Sequence, residues 1–349
     1  MRLLVLGGTL FVGHAIVAEA VARGHSVTVV HRGRTGEAPG GARVVLGDRT
    51  SPQTLAALAA AGPWDAVLDA WSGAAGVVQA SARALARAAG TYAYVSSRSV
   101  YTWPLPHGAD ETAPLVDADP GADEVDYATD KRGGELAVLE SFPSALIARP
   151  GLILGPREFP GRLPWWLSRL IRGGDVLAPG PADLRLQYVD ARDLAAFLLD
   201  GLESGLTGAF DTVSAPGHAT MATLLGAAVD AVGPAVQAPV RLQWVDPSFL
   251  LERGVAPWTQ VPVWVPEGHE AYALHDGDTS RALAAGLRCR PVEETVADTW
   301  AWWDAAGRPA SVIRTGLGLE PDVEERLLRE WAVRGVDVEH ELTEDRPGT

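Results

Sequence analysis

The first 149 residues alternate short runs of β-branched and aliphatic residues with longer alanine-rich stretches, and this alternation leaves few possible folds. The short runs have the length and composition of buried strands, and the long stretches have helical apolar spacing. Strands that alternate with helices form a parallel sheet, because each helix carries the chain back across the sheet. The sequence therefore predicts an α/β protein with a doubly wound parallel sheet.

The composition changes after Pro150, where proline and tryptophan become frequent and nine of the twelve tryptophans lie from Trp165 onward. We expect a sheet domain at residues 1–150, a smaller C-terminal lobe at 151–335 that is partly interleaved with the sheet, and a mobile acidic tail at 336–349. Strands are predicted at Leu3–Leu6, Ser26–His31, Arg43–Leu46, Ala66–Leu68, Tyr92–Ser96 and Ala145–Ala148. Helices are predicted at Phe11–Arg23, Ser51–Ala61, Ala75–Ala89 and Val125–Ser141.

Acidic residues outnumber basic residues by 44 to 29, which gives a net charge of −15. A chain of this charge repels phosphate backbones and anionic lipid, so we expect neither nucleic acid nor a membrane as a partner. The only cysteine, Cys289, cannot form an internal disulfide, which fits a reducing cytoplasm. The histidines are scattered without the spacing of metal ligands, so no metal is expected.

A glycine-rich turn follows the first predicted strand and leads into the first predicted helix. Glycine permits a tight turn and close approach to the backbone, and the free amides at a helix start attract anions. Such a turn binds the pyrophosphate of a dinucleotide, although a plain strand-to-helix turn is the alternative, since Leu10 replaces the usual middle glycine. The predicted cofactor contacts here are Gly7, Thr9, Leu10, Phe11, Val12 and Gly13.

The second predicted strand ends in His31-Arg32-Gly33-Arg34. NAD-selective sites usually carry a carboxylate at this position, and it would repel a 2′-phosphate, whereas guanidinium groups would pair with one. Arg32 and Arg34 therefore predict NADP(H) rather than NAD(H), unless they only solvate the loop. Asp48 and Arg49 follow the third predicted strand and are expected to border the adenine. Ala70 and Trp71, which follow the fourth strand, complete the predicted cofactor contacts.

Tyr127 and Lys131 stand four residues apart in a predicted helix, so both side chains share one face. A free tyrosine titrates near pH ~10, and a neighbouring ammonium favours the phenolate and so suits the phenol to acid/base work. Lys131 is the only lysine of the chain. A single lysine placed at random would follow one of the six tyrosines at this spacing in about 6 of 349 cases. We interpret the pair as catalytic; an exposed helix pair is the alternative.

A serine-rich run, Ser96-Ser97-Arg98-Ser99, follows the fifth predicted strand. Active sites of open α/β sheets lie at such strand ends, where a hydroxyl can bind the reacting oxygen beside the tyrosine. We favour Ser97 as the catalytic hydroxyl and Ser99 as a substrate contact, with a turn or capping role as the alternative for each.

These features together resemble the extended short-chain dehydrogenase/reductase family, which has a Rossmann fold. The chain is most similar to bacterial proteins of the NAD-dependent epimerase/dehydratase type whose glycine turn reads Gly-Gly-Thr-x-Phe-x-Gly. The resemblance covers nearly the whole chain and rests on the glycine turn, the serine run ending in Val100-Tyr101, the Tyr127/Lys131 pair, Arg149 through Pro156, Gln187 through Ala195, and Trp258 through Pro266.

The resemblance implies that hydride passes between the nicotinamide and a substrate carbon while Tyr127 moves the proton on the attached oxygen. Ser97 matches the substrate-binding hydroxyl of the family, and Pro150, Gly151 and Leu152 match the segment that borders the nicotinamide. The C-terminal lobe then binds the small-molecule substrate, with a monomer or a homodimer as the assembly. Further substrate contacts are expected from Trp103, Trp165, Trp166 and Gln187, although both neighbouring tryptophans could instead belong to the core.

Two positions differ from the sugar-nucleotide enzymes of this family. Epimerases carry asparagine where this chain has Leu152, and dehydratases carry an Asp-Glu pair where it has Arg98-Ser99. The sequence therefore favours a cytoplasmic NADPH-dependent reductase of a C=O or C=N carbon in a small, largely apolar, polycyclic secondary metabolite. A nucleotide-sugar epimerase or dehydratase with tightly bound cofactor is the first alternative, and a non-enzymatic NADP(H) sensor or an RNA-binding relative is the second.

Overall fold

The computed structural model of the protein describes residues 1–344, with side chains for residues 1–334. Numbered along the chain, the strands are β1 Arg2–Leu6, β2 Ser26–His31, β3 Arg43–Leu46, β4 Trp64–Asp69, β5 Ala89–Val95, β6 Leu146–Ala148, β7 Ile153–Leu154, β8 Gly174–Pro179, β9 Arg185–Leu186, β10 Val189–Asp190, β11 Gly208–Phe210, β12 Ala219–Thr220 and β13 Val240–Val245. The helices are α1 Phe11–Ala22, α2 Pro52–Ala60, α3 Ala75–Leu85, α4 Tyr127–Ser141, α5 Arg162–Ile171, α6 Ala191–Ser204, α7 Met221–Val232, α8 Pro247–Glu252, α9 Ser280–Ala284, α10 Val292–Ala305 and α11 Pro321–Glu344.

Most element boundaries in the first 149 residues lie close to their predicted positions. Strands β2 and β3 have the predicted bounds, and α1, α2 and α4 begin or end within a few residues of theirs. Helix α3 is shorter than predicted, because Ala89 already pairs with Trp64 and so belongs to strand β5.

The first compact unit contains residues 1–157, 187–218 and 270–290. Its seven-stranded sheet has the order β11-β6-β5-β4-β1-β2-β3, and every neighbouring pair is parallel. Along β1, Leu3 and Val5 face a hydrophobic core shared with α1 and α6, whereas Leu4 and Leu6 face a second core shared with α2, α3 and α4. The predicted doubly wound Rossmann-type fold is therefore confirmed, and β1 lies where the strand order reverses, the usual place for a ligand crevice.

The second compact unit contains residues 158–186, 219–269 and 291 onward. Helices α5, α7 and α10 pack on one another, and the strands form a parallel pair, β8 with β13, and an antiparallel pair, β9 with β12. Of the lobe predicted at residues 151–335, segments 151–157, 187–218 and 270–290 thus lie in the first unit. Of the predicted mobile tail, residues 336–344 continue α11, and residues 345–349 lie outside the described residues.

Within residues 1–344, no helix has both the length and the apolar character needed to cross a bilayer.

Candidate functional site

The glycine turn joins β1 to α1, and two of its glycines are required by packing. A Cβ on Gly8, whose φ is +110°, would lie 2.9 Å from side-chain carbons of Val17 and Val29. A Cβ on Gly13 would lie 2.8 Å from the backbone nitrogen of Gly8. A Cβ on Gly7 would meet nothing within 4 Å, so this side of the turn is open to a ligand.

Leu10, which replaces the usual middle glycine, directly precedes α1 with a φ of −122° that any residue adopts. Its side chain is 53% exposed, and it borders the helix start without filling the turn. Thr9 is buried, and its Oγ1 lies 2.7 Å from Oγ1 of Thr35, which draws the loop after β2 onto the glycine turn. Phe11 begins α1 with a left-handed φ of 29°, and Val12 packs into the core beneath it.

The loop after β2 carries the arginines predicted to bind a 2′-phosphate. Arg32 and Arg34 are both exposed. The pKa of the Asp48 carboxyl is lowered, first by hydrogen bonds from the backbone and hydroxyl of Thr50 and then by the charges of these two arginines. Asp48 is therefore close enough to both guanidinium groups for their charges to act on it.

His31 is a further polar group at this end of the sheet, and sequence reasoning did not select it. Its Nδ1 accepts a hydrogen bond of 3.0 Å from the backbone N–H of Gly33, so a neutral ring carries its proton on Nε2. That Nε2 is buried and has no partner among the described residues. A buried donor without a partner beside two exposed guanidinium groups fits a site for an oxygen-rich anion such as a ribose phosphate.

Arg49, which the sequence predicts to border the adenine, is a buried residue paired with Asp69. Its guanidinium is buried and donates to Oδ1 and Oδ2 of Asp69 at 2.6 and 2.7 Å, and to Oγ of Ser81 at 2.9 Å. It also lies 5.1 Å from the ring centroid of Trp71. Its charge is therefore neutralised inside the first unit, because a buried guanidinium requires a partner.

Tyr127 and Lys131 lie on the first turns of α4, which Asp126 caps by accepting hydrogen bonds from the backbone N–H groups of Ala128 and Thr129. Tyr127 is 52% exposed, whereas Lys131 is 3% exposed. Nζ of Lys131 donates to the carbonyl oxygens of Trp71 and Val95 at 2.5 and 2.7 Å, and it lies 6.0 Å from the ring centroid of Tyr127. Burial lowers the pKa of Lys131 to about 8. A fixed cation thus lies beside a solvent-accessible phenol.

The serine run forms a tight turn directly after β5. Oγ of Ser97 donates to Oγ of Ser99 at 3.1 Å and accepts from its backbone N–H at 3.1 Å. The backbone N–H of Arg98 donates to the carbonyl oxygen of Pro150 at 2.9 Å, which joins this turn to the segment after β6. Because Lys131 bonds the last residue of β5, the serine turn, the start of α4 and the segment through Leu152 meet at one edge of the sheet.

The predicted substrate residues occupy different environments. Trp103, in the first unit, is half-buried. Gln187 is fully buried there, and its side chain bonds the backbone of Ser214 and Gly277. In the second unit Trp166 is 1% exposed and donates to the carbonyl oxygen of Pro262, whereas Trp165 is half-buried. Gln187 and Trp166 are interior residues, and their polar groups are satisfied by hydrogen bonds within their own units.

Arg98 and Leu152, the two positions that differ from the sugar-nucleotide enzymes, are both buried. Arg98 is fully enclosed, and its Nε lies 3.1 Å from Oδ2 of Asp211 without hydrogen-bond alignment. Burial raises the pKa of Asp211 to about 6, although the charge of Arg98 opposes the rise. Across the part of the chain that the structure describes, no group of three or more His, Cys, Asp or Glu side chains could hold a metal ion.

Comparisons with known proteins show the family and the fold of the chain. The sequence profile of the NAD-dependent epimerase/dehydratase family matches residues 3–209. No curated protein sequence matches the chain. Among solved structures, the Bordetella bronchiseptica enzyme WbmH in complex with NAD+ is 18% identical, with a TM-score of 0.66 over 87% of this chain and 98% of that one.

Two further solved structures have the same fold. The B. bronchiseptica enzyme WbmG in complex with NAD and UDP is 19% identical, with a TM-score of 0.65 over 89% of this chain and 96% of that one. UDP-glucose 4-epimerase of Thermus thermophilus in complex with NAD is 21% identical, with a TM-score of 0.62 over 88% of this chain and 100% of that one.

Proposed function

This chain belongs to the NAD-dependent epimerase/dehydratase family of extended short-chain dehydrogenases/reductases, and from that premise we propose that it is an NADPH-dependent reductase of a C=O or C=N carbon. The observation that carries the proposal is the pairing of an exposed Tyr127 with a buried Lys131 at the sheet edge that also holds Ser97. A nicotinamide dinucleotide follows from the family, and its preferred form and the reaction are the parts that we propose.

In the proposed reaction the bound nicotinamide supplies hydride to the substrate carbon. Tyr127, which is 52% exposed, donates a proton to the attached oxygen or nitrogen. Lys131 stays fixed by the carbonyl oxygens of Trp71 and Val95 and stabilises the phenolate that this transfer leaves. Ser97 holds the reacting oxygen in place through a hydrogen bond.

The open side of Gly7 and the helix start at Leu10 would hold the pyrophosphate of the cofactor, and Arg32, Arg34 and His31 would hold the 2′-phosphate. The two exposed arginines can pair with an added anion directly. Nε2 of His31 is buried and has no partner among the described residues, so it would join them once the ring turns towards the anion. Asp48 partly offsets the positive charge of this patch. The balance of two guanidinium groups against one carboxylate supports NADP(H) over NAD(H).

We expect NADPH to bind more tightly than NADH, and Arg32→Ala to reduce this preference by roughly ten- to a hundredfold, because a charge-assisted phosphate contact is worth about 1.5–3 kcal/mol. Titration calorimetry with both cofactors measures the two affinities. Arg43→Ala is the matched control. This exposed arginine begins β3, at the opposite end of the parallel strands from the loop that carries Arg32. Equal affinities of the unmodified protein for the two cofactors would refute the preference.

We propose an uncharged or cationic, largely apolar and polycyclic metabolite as the substrate, with secondary metabolism as its setting. The net charge of −15 adds a small preference for a neutral or cationic substrate, which local arginines override at the proposed cofactor site. The serine turn carries Arg98-Ser99 where the family's dehydratases carry an Asp-Glu pair, which opposes dehydration. Arg98 is buried beside Asp211. In the first unit, Ser99 and Trp103 are the proposed contacts, because an aromatic ring that solvent reaches favours a flat ligand.

A nucleotide-sugar epimerase is the second candidate, and the family itself favours it. One structure of the same fold was solved with UDP, and another is a UDP-glucose 4-epimerase. Leu152 opposes this candidate, because it offers an apolar side chain where the family's epimerases carry asparagine. A cofactor sensor is the third, and the complete set of Ser97, Tyr127 and Lys131 opposes it.

The reductase and the epimerase differ in whether cofactor is consumed. We expect steady loss of NADPH absorbance when the protein is mixed with polycyclic ketones or cyclic imines, and none with UDP- or dTDP-sugars. An epimerase regenerates its cofactor in every turnover, so product formation from a nucleotide sugar without net NADPH loss would establish that activity instead. Mass spectrometry of the same mixtures identifies the product.

A further inference from the structure

Lys131 is linked to two buried carboxylates, those of Asp69 and Glu135. Each link runs through a backbone carbonyl oxygen to which Nζ of Lys131 donates. Nζ donates to the carbonyl oxygen of Trp71, whose own N–H donates to Oδ1 of Asp69 at 3.0 Å. Nζ also donates to the carbonyl oxygen of Val95, and the next residue, Ser96, donates from Oγ to Oε1 of Glu135 at 2.7 Å. Glu135 also follows Lys131 by one helical turn on α4, on the same face.

Each of these carboxylates is fixed by a buried arginine. Asp69 is 0% exposed and receives two hydrogen bonds from Arg49, at 2.6 and 2.7 Å. Glu135 is 1% exposed and receives two from Arg149, both at 2.7 Å. Bidentate pairs of this kind hold a carboxylate in one orientation and keep it ionised. Both carboxylates are therefore held in place near Lys131, and the charges of both act on it.

A buried ammonium needs such charges, because removal from water favours its neutral form. The groups that face Lys131 are Tyr127 and Glu135 from α4, Tyr94 from β5, Asp69 from β4, and Arg49 from the segment before α2. Burial lowers the pKa of Lys131 to about 8, Asp69 and Glu135 oppose this shift, and Arg49 adds to it. Without the two carboxylates the pKa of Lys131 would be lower still, so the lysine would lose its proton at a lower pH.

We propose that Glu135 is a positioning residue for the Tyr127/Lys131 pair: its carboxylate fixes α4 against the end of β5 and, together with Asp69, keeps Lys131 charged. The hydrogen bond from Ser96 joins Glu135 to the serine turn. The hydrogen bond from Arg149 joins it to the segment that precedes Leu152. The importance of a charged Lys131 for turnover rests on the proposed function. The charge itself does not, and it can be measured without substrate or cofactor.

Because Lys131 is the only lysine of the chain, protein made with ¹³C,¹⁵N-lysine gives a single lysine side-chain resonance. We expect the unmodified protein to titrate with a midpoint near 8. In Glu135→Gln the midpoint should fall by about one pH unit, because an opposite charge close by shifts a pKa by about that much or more. Glu140→Gln is the matched control, since this exposed glutamate lies on the same helix and pairs with Arg83. Its midpoint should equal that of the unmodified protein.

Unchanged midpoints in Glu135→Gln would overturn the proposal, even if this variant lost stability, because a purely structural role leaves the titration of the lysine where it was. Should Glu135→Gln fail to fold with an unpaired Arg149, Glu135→Gln/Arg149→Gln removes both charges and is judged by the same two outcomes. Failure of the protein to oxidise NADPH would reject the proposed function and leave this titration unaffected. The two hypotheses therefore fail independently.

Discussion

Tyr127→Phe is expected to lower turnover by roughly 10²–10⁴-fold, the range that a positioned general acid contributes. The substitution removes the hydroxyl that supplies the proton and leaves the ring in place. Because Tyr127 is 52% exposed at the start of α4, little packing depends on its hydroxyl. NADPH affinity and the thermal midpoint should therefore stay close to those of the unmodified protein, as calorimetry and thermal unfolding would show.

Tyr188→Phe is the matched control, because it removes a hydroxyl of the same unit that donates to the carbonyl oxygen of Arg290 at 3.0 Å. It should retain nearly full turnover. Lys131→Arg should be as poor as Tyr127→Phe, since the buried space that holds an ammonium between two carbonyl oxygens has no room for a guanidinium fork. Full activity in Tyr127→Phe would refute the assigned acid/base role.

The elements of the first unit could be predicted because their patterns are local. Strand β2 is a run of β-branched residues, and α1, which follows the glycine turn, is a continuous stretch rich in alanine and valine. The Tyr127/Lys131 pair was equally accessible, because four residues on a helix define one face and because the chain has a single lysine. Such signals need no knowledge of distant residues.

The remainder depends on contacts between distant residues, which a single sequence does not display. Arg49 and Asp69 are 20 positions apart, so the sequence does not show that they form a buried ion pair. Its position after the third strand made Arg49 a candidate cofactor contact. Glu135 and Arg149 are 14 positions apart, and only the position of Glu135 four residues after Lys131 offered a hint. Strands β7, β9, β10 and β12 have two residues each, too few to show any periodicity.

Tryptophan was also ambiguous for a physical reason. Trp165 and Trp166 are adjacent in α5 and pack edge to face, with ring centroids 4.8 Å apart, but only Trp166 points into the core of the second unit. Adjacent residues on a helix differ by about 100° in direction, so one can be interior while the other reaches the surface. Composition alone cannot assign the two directions, because the phase of the helix is set by the helices that pack on it.

The Arg49–Asp69 pair carries the largest expected effect on stability. Asp69→Ala should lower the free energy of unfolding by about 3–5 kcal/mol, because it leaves a buried guanidinium without its counter-charge. The variant also removes the acceptor for the Tyr92 hydroxyl at 2.7 Å and for the Trp71 N–H at 3.0 Å. Urea unfolding followed by circular dichroism measures the loss against that of Glu140→Ala, whose exposed pair with Arg83 should be worth about 1 kcal/mol or less.

The same loss should depend on pH in a defined direction. Burial alone would raise the pKa of Asp69, but the charge and hydrogen bonds of Arg49 outweigh it and hold the pKa below the ordinary value of about 3.9. A carboxylate with a lowered folded-state pKa contributes its full stability above the unfolded value and loses it as pH falls through the folded one. The difference in unfolding free energy between the unmodified protein and Asp69→Ala should therefore be constant near neutrality and shrink below about pH 4. A difference no larger than that of Glu140→Ala at pH 7, or one that grows on acidification, would show that the pair does not stabilise this side of the sheet.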